Sequence, residues 1–128
     1  MSPTMIIRMF LILVALCFAA FGQWSLFQPI EMAGQLGVNV SGRNGAYELA
    51  GIYGGVSFAA AILCAVGAVM KRMRRPALWF LVTYMGGYVF ARVAAWGLHG
   101  PPSSDFYIFI AFEAAVLIGA LFSLSRKF

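Results

Sequence analysis

Four long apolar runs dominate this sequence: Ile6 to Phe27, Ala46 to Met70, Ala77 to Leu98 and Phe106 to Ser125. Each is close to the about 20 residues a helix needs to cross a bilayer. Within lipid no water satisfies backbone N–H and C=O groups, so a spanning segment must be a helix or a strand of a closed barrel. None of the runs alternates with period two, which excludes strands. Composition agrees. Only 10% of the 128 residues are charged and 62% are hydrophobic, whereas a soluble domain carries about 25% charged residues. The expected fold class is all-α: an integral membrane four-helix bundle, with residues 1–128 forming a single transmembrane domain.

Three connections join the runs. Gln28 to Gly45 is long and polar, and rich in glycine. Lys71 to Pro76 reads as a tight basic hairpin. His99 to Asp105 is a Pro/Gly turn in which Ser103, Ser104 or Asp105 can cap the next helix. Seven of the nine basic residues, Arg8, Lys71, Arg72, Arg74, Arg75, Arg126 and Lys127, fall at one end of the spans; Arg43 is alone at the other. Cytoplasmic loops hold the excess of Lys and Arg, so both termini and the basic hairpin are expected in the cytoplasm. The net charge of +5 therefore reports topology and no nucleic-acid partner. The segment after Arg8 has the look of a signal peptide, but its apolar run continues to Phe27 and is read as an uncleaved first helix.

Cys17 and Cys64 lie inside apolar runs at different depths and are expected as free, small hydrophobes. There is no Cys/His cluster, so no metal site is expected. Asn39-Val40-Ser41 matches a glycosylation triplet that arises readily by chance. Small residues recur every fourth position as Gly51/Gly55/Ala59, Gly87/Ala91/Ala95 and Ala111/Ala115/Gly119/Ser123. Such stripes let helices approach closely; they are expected to pack within one bundle, with a homo-oligomer or another membrane protein as the alternative partner. Trp24, Trp79 and Trp96 fall where an interfacial aromatic belt would place them.

Chemistry concentrates in three charges inside the spans: Glu48, Arg92 and Glu113. An intramembrane charge is expensive and marks a candidate site with a partner. At 1.5 Å per residue, Arg92 and Glu113 each lie roughly 10 Å from the Pro/Gly turn joining their helices. They are expected to meet at matched depth. Tyr53 lies at a similar level, and Glu48 near the surface. Tyr88, Arg92, Trp96 and His99 share one face of the third helix. On the fourth helix Phe106, Phe109, Glu113 and Val116 or Leu117 line the equivalent face. The expected site is a polar, outward-opening pocket in that half of the bundle, walled by aromatics and formed by Arg92, Glu113, Glu48, Tyr53, Tyr88, Trp96 and His99. His99 is the single histidine; a lone axial haem ligand or a proton relay is conceivable on chemistry, but an interfacial polar side chain is the simpler reading. No cofactor is specified.

Glu48 with Tyr53-Gly54-Gly55, Ala91-Arg92 with Gly97 and His99-Gly100-Pro101, and Phe112-Glu113-Ala114 carry a family resemblance over about residues 10 to 124. The chain resembles a bacterial family of small four-helix membrane proteins known only as a domain of unknown function. In shape it is also similar to DoxX-like proteins, some of them accessory subunits of quinone-linked oxidoreductases. The resemblance implies a fold and a multi-pass address in the bacterial inner (plasma) membrane, and no activity. Three functions are open on the residues. The first is a lipid-embedded protein binding a lipophilic small molecule, or an accessory subunit, with Arg92 on an anionic or carbonyl group, Glu113 orienting it and Glu48 at the mouth. The second is an acid/base enzyme, an isomerase or epoxide-opening catalyst, with Glu113 or Glu48 as the acid/base and Arg92 stabilising an oxyanion. The third is a structural ion pair that fixes helix register.

Overall fold

The computed structural model describes residues 1–128, and every regular element is helical. α1 spans Pro3–Phe27, α2 Pro29–Gln35 and α3 Gly42–Leu49. α3 runs on through a π-helical turn, Ala50–Gly55, into α4, Val56–Val69. α5 spans Lys71–His99, and a 3₁₀ turn at Ser104–Phe106 leads into α6, Tyr107–Leu124. Four continuous segments are long and apolar enough to cross a membrane: Pro3–Phe27, Gly42–Val69, Lys71–His99 and Ser104–Leu124. The chain is a multi-pass membrane protein built on four helices.

The connections differ most from the sequence reading. α1 begins at Pro3, because the Ser2 hydroxyl accepts the Met5 N–H at 3.2 Å and Pro3 loses no helical donor. Lys71 to Pro76 is not a hairpin loop. It is the start of α5, and the turn from α4 is the single extended residue Met70. Charge and proline end a hydropathic run without ending a helix: Pro76 sits so near the start of α5 that its missing N–H costs one bond at the exposed end. The polar connection after α1 contains α2, whose Met32 and Ala33 are buried together with Leu36. No side chain of Ser103, Ser104 or Asp105 caps α6; the 3₁₀ turn tightens the backbone there instead.

α1 packs on α4, α4 on α5, and α5 on α6, whereas α1 and α6 scarcely approach. The core runs through Leu11, Phe18, Cys64, Leu78 and Leu81. Both cysteines are free, and Cys64 is fully buried.

Most of the predicted small-residue stripes do not hold the bundle together; only Gly119, beneath Phe10 of α1, and the buried Ser123 turn inward. Gly51, Gly55, Ala59, Gly87, Ala91, Ala95, Ala111 and Ala115 are exposed on its outer surface. Close approach falls to other glycines. A Cβ on Gly22 of α1 would lie 3.0 Å from the Gly54 carbonyl oxygen, and one on Gly67 of α4 would lie 2.7 Å from Ala77 Cβ. The four-residue period identifies a face but not which way that face turns. Gly67→Val should therefore destabilise the protein in detergent by about 1–3 kcal/mol through overpacking. Gly87→Ala, with nothing within 4 Å of the added Cβ, should leave the thermal midpoint the same or slightly higher, since a mid-helix glycine costs about 0.5–1 kcal/mol relative to alanine. Equal midpoints for the two variants would contradict this packing.

Candidate functional site

The site is assembled where α5 and α6 leave their short connection. Arg92 and Glu113 form the chain's one salt bridge. Arg92 Nε donates to Glu113 Oε1 at 3.0 Å and Nη2 donates to Oε2 at 2.8 Å. This parallel fork engages both carboxylate oxygens and fixes the guanidinium plane. Glu113 is 7% exposed. The Arg92 guanidinium carbon lies 5.1 Å from the Tyr88 ring centre and 4.8 Å from that of Phe106, so its charge is also held against two aromatic rings.

Tyr53 arrives from the π turn. The segment Ala50–Gly55 contains three glycines, whose lack of side chains accommodates a widened turn. Such turns recur at functional sites because they re-aim a side chain. Here the Tyr53 ring packs on Phe21 of α1, 5.8 Å between centroids. Phe21 in turn meets Phe109 of α6 at 5.8 Å, and Phe18 meets Phe112 at 5.9 Å. These aromatic pairs bridge the gap between α1 and α6.

Between the four helices lies a cavity of about 440 Å³, within the range that holds a small ligand. Fourteen of its seventeen lining residues are hydrophobic; the expected aromatic wall is there, Phe106 and Phe109 included, but the pocket is largely apolar, with one ion pair in its wall. Leu36 also lines it, so the α2 segment covers the end nearest the long connection. A Cβ on Gly37, whose φ is +76°, would lie 3.4 Å from both Asp105 Oδ2 and Ser103 Oγ, which places this cover against the α5–α6 turn. Between α1 and α6 the wall is made by side chains rather than by close helix packing. Ala20 and Ile108 line the cavity and are exposed on the outer surface. At the opposite end Phe10 of α1 seats on Gly119 of α6 and closes the seam.

The family profile of a domain of unknown function, DUF4345, matches residues 6–124. The chain belongs to the DUF4345 family. No curated protein and no solved structure matches it. In this DUF4345 chain the matched region contains every element of the cavity, from α1 to α6.

Of the seven residues singled out from sequence, Arg92, Glu113, Tyr53 and Tyr88 come together on the cavity wall. Trp96 and His99 do not reach it. They line a separate shallow cleft with Gly100, Pro101 and Pro102, which Arg92 borders from the other side. Glu48 is exposed on α3 and belongs to neither hollow. Sequence reading missed the α1 wall of Cys17, Phe18, Phe21 and Trp24, and missed Tyr84 and Phe112. Tyr84 extends the Tyr88–Arg92 face by one turn, a signal that was present; the helical spacing of Cys17, Phe21 and Trp24 does not separate a cavity face from a lipid face in a helix that is apolar all round. No group of three His, Cys, Asp or Glu side chains could hold a metal ion.

Proposed function

We propose that this protein binds a lipophilic small molecule in the cavity, with the polar head at Arg92 and the apolar body along the aromatic wall. The observation that carries this reading is the bidentate Arg92–Glu113 pair set in the wall of an otherwise apolar chamber. A buried ion pair costs desolvation that a well-packed apolar pair would not. A use for its remaining N–H groups accounts for retaining it. Because Glu113 already neutralises Arg92, the head is a neutral acceptor such as a carbonyl or quinone oxygen rather than an anion. The α1–α6 side, closed by side chains rather than by helix packing, supports entry from the bilayer. The acid/base alternative needs a carboxyl free to exchange its proton, and Glu113 has both oxygens on Arg92.

Trp24 lines the cavity, which makes a direct test available. In a Trp79→Phe/Trp96→Phe variant, decyl-benzoquinone should quench Trp24 fluorescence saturably. Lauric acid should compete at least about tenfold less well, the equivalent of 1.4 kcal/mol. Equal or better binding of laurate would overturn the neutral-head assignment, and no saturable quenching would count against the site.

The same reading places both termini and the α4–α5 turn on the cytoplasmic side of the bacterial inner membrane, supported by seven basic residues at that end against Arg43 at the other. A cysteine at Ser2 should then be labelled by an impermeant maleimide only after the cells are opened, and one at Asn39 in intact spheroplasts. The reverse pattern would invert the topology.

A further inference from the structure

We propose that Arg8 and Arg74 form a binding site for the phosphodiester of an anionic lipid headgroup, at the end of the bundle where α4 turns into α5. The geometry is unusual. Arg8 Nε donates to the Ala68 carbonyl oxygen at 2.9 Å, and Arg74 Nη2 donates to that same oxygen at 3.1 Å. Arg74 Nε also donates to the Gly67 carbonyl at 3.0 Å. Two guanidinium groups, one from α1 and one from α5, thus sit side by side on the last carbonyls of α4. Arg74 is only 4% exposed.

Capping explains one of these arginines but not both. A helix C-terminus offers about half a negative charge, while the two guanidiniums bring two positive ones. No carboxylate makes up the difference: the one salt bridge in the structure is Arg92–Glu113. The other acidic side chains, Glu31, Glu48 and Asp105, lie toward the far end of the spans. The other cations nearby add to the imbalance. Lys71, Arg72 and Lys127 are exposed, Arg75 lies over the Phe128 ring, and Arg126 lies over Phe122.

Each guanidinium carries five N–H donors, and the carbonyls take two from Arg74 and one from Arg8. Two planar forks with spare donors and no counter-charge match the oxygens of a phosphate. The pair lies at the end of helices that cross the membrane, the level of lipid headgroups, where basic pockets between helices take up anionic lipid. The occupant is therefore a lipid phosphodiester with a net negative head, rather than a zwitterionic one.

The test is native mass spectrometry of the full chain in dodecyl maltoside, titrated with phosphatidylglycerol, with phosphatidylcholine of the same acyl chains, and in parallel with inorganic phosphate followed by thermal midpoint. Phosphatidylglycerol should give a saturable adduct. Arg8→Gln should weaken that adduct about tenfold, for loss of one charge-assisted contact, and Lys127→Gln, an equal loss of net charge, less than about twofold. Arg74→Lys keeps the charge and removes the fork; it should weaken binding as well, which serves if Arg8→Gln does not fold. Equal effects of Arg8→Gln and Lys127→Gln would show diffuse charge attraction and overturn the site. Stabilisation by inorganic phosphate as large as that by phosphatidylglycerol would overturn the lipid assignment. Absence of any phosphatidylglycerol preference over phosphatidylcholine would overturn both.

Discussion

Glu113→Leu should destabilise the bundle by roughly 3 kcal/mol, and the double variant Arg92→Met/Glu113→Leu should recover most of that loss. Removing one partner leaves an uncompensated charge inside the fold, whereas removing both leaves an apolar contact. The lower part of the usual range applies because 22% of the Arg92 side chain remains exposed. Unfolding in mixed micelles, read by tyrosine and tryptophan fluorescence, measures both values. The double variant separates the two meanings of the pair. If the charges only fix helix register, it keeps every property of the protein. If they present a polar contact to the cavity, it folds and loses its ligand.

Filling the cavity should have the opposite profile. Cys17 lines the chamber and is only partly buried, beside the exposed Ala20. Cys17→Trp adds an indole to the cavity wall and leaves Arg92 and Glu113 unsubstituted. Ligand occupancy should fall below about a tenth of the wild-type value, since a small ligand cannot share so confined a site. The thermal midpoint should change little, because the added ring occupies existing space rather than displacing core. A Cys17→Trp protein that retains full occupancy would place the ligand elsewhere.

The parts of this account legible in the sequence share one property: contrast with their surroundings. Arg92 and Glu113 stand out as charges in apolar runs, and the short His99–Asp105 connection forces their helices together, so their pairing could be read at matched depth. The α1 wall offered no such contrast. Phe18, Phe21 and Trp24 are apolar residues in an apolar helix, and nothing distinguishes a cavity-facing ring from a lipid-facing one. Glu48 did stand out, but it lies two residues before the π segment, where an exposed carboxylate meets the surface rather than the cavity. The small-residue stripes of the second and third spans failed for a related reason. In a soluble bundle polar residues mark the outer face; here both faces are apolar, and Gly87, Ala91 and Ala95 carry no sign of direction. The cover made by Met32, Ala33 and Leu36 was hidden by the polar residues around it, because a seven-residue helix is too short to show a period.

The ion pair also bounds what chemistry the chamber can perform. A guanidinium locked to its carboxylate by two parallel hydrogen bonds is preorganised, so it presents its spare donors to a bound acceptor without rearrangement. That arrangement suits recognition of a carbonyl group, and it is the reason the neutral head is favoured over an anion that would compete with Glu113.

Under the proposed function the chamber holds a neutral-headed lipophile at Arg92. The most direct measurement is mass spectrometry of the small molecules extracted from wild-type protein and from Arg92→Met/Glu113→Leu, both purified in the same mild detergent. The account predicts about one molecule per chain of a carbonyl-bearing lipophile in the wild type, and its absence from a folded double variant. The same bulk phospholipid in both, with no such molecule in either, would contradict it.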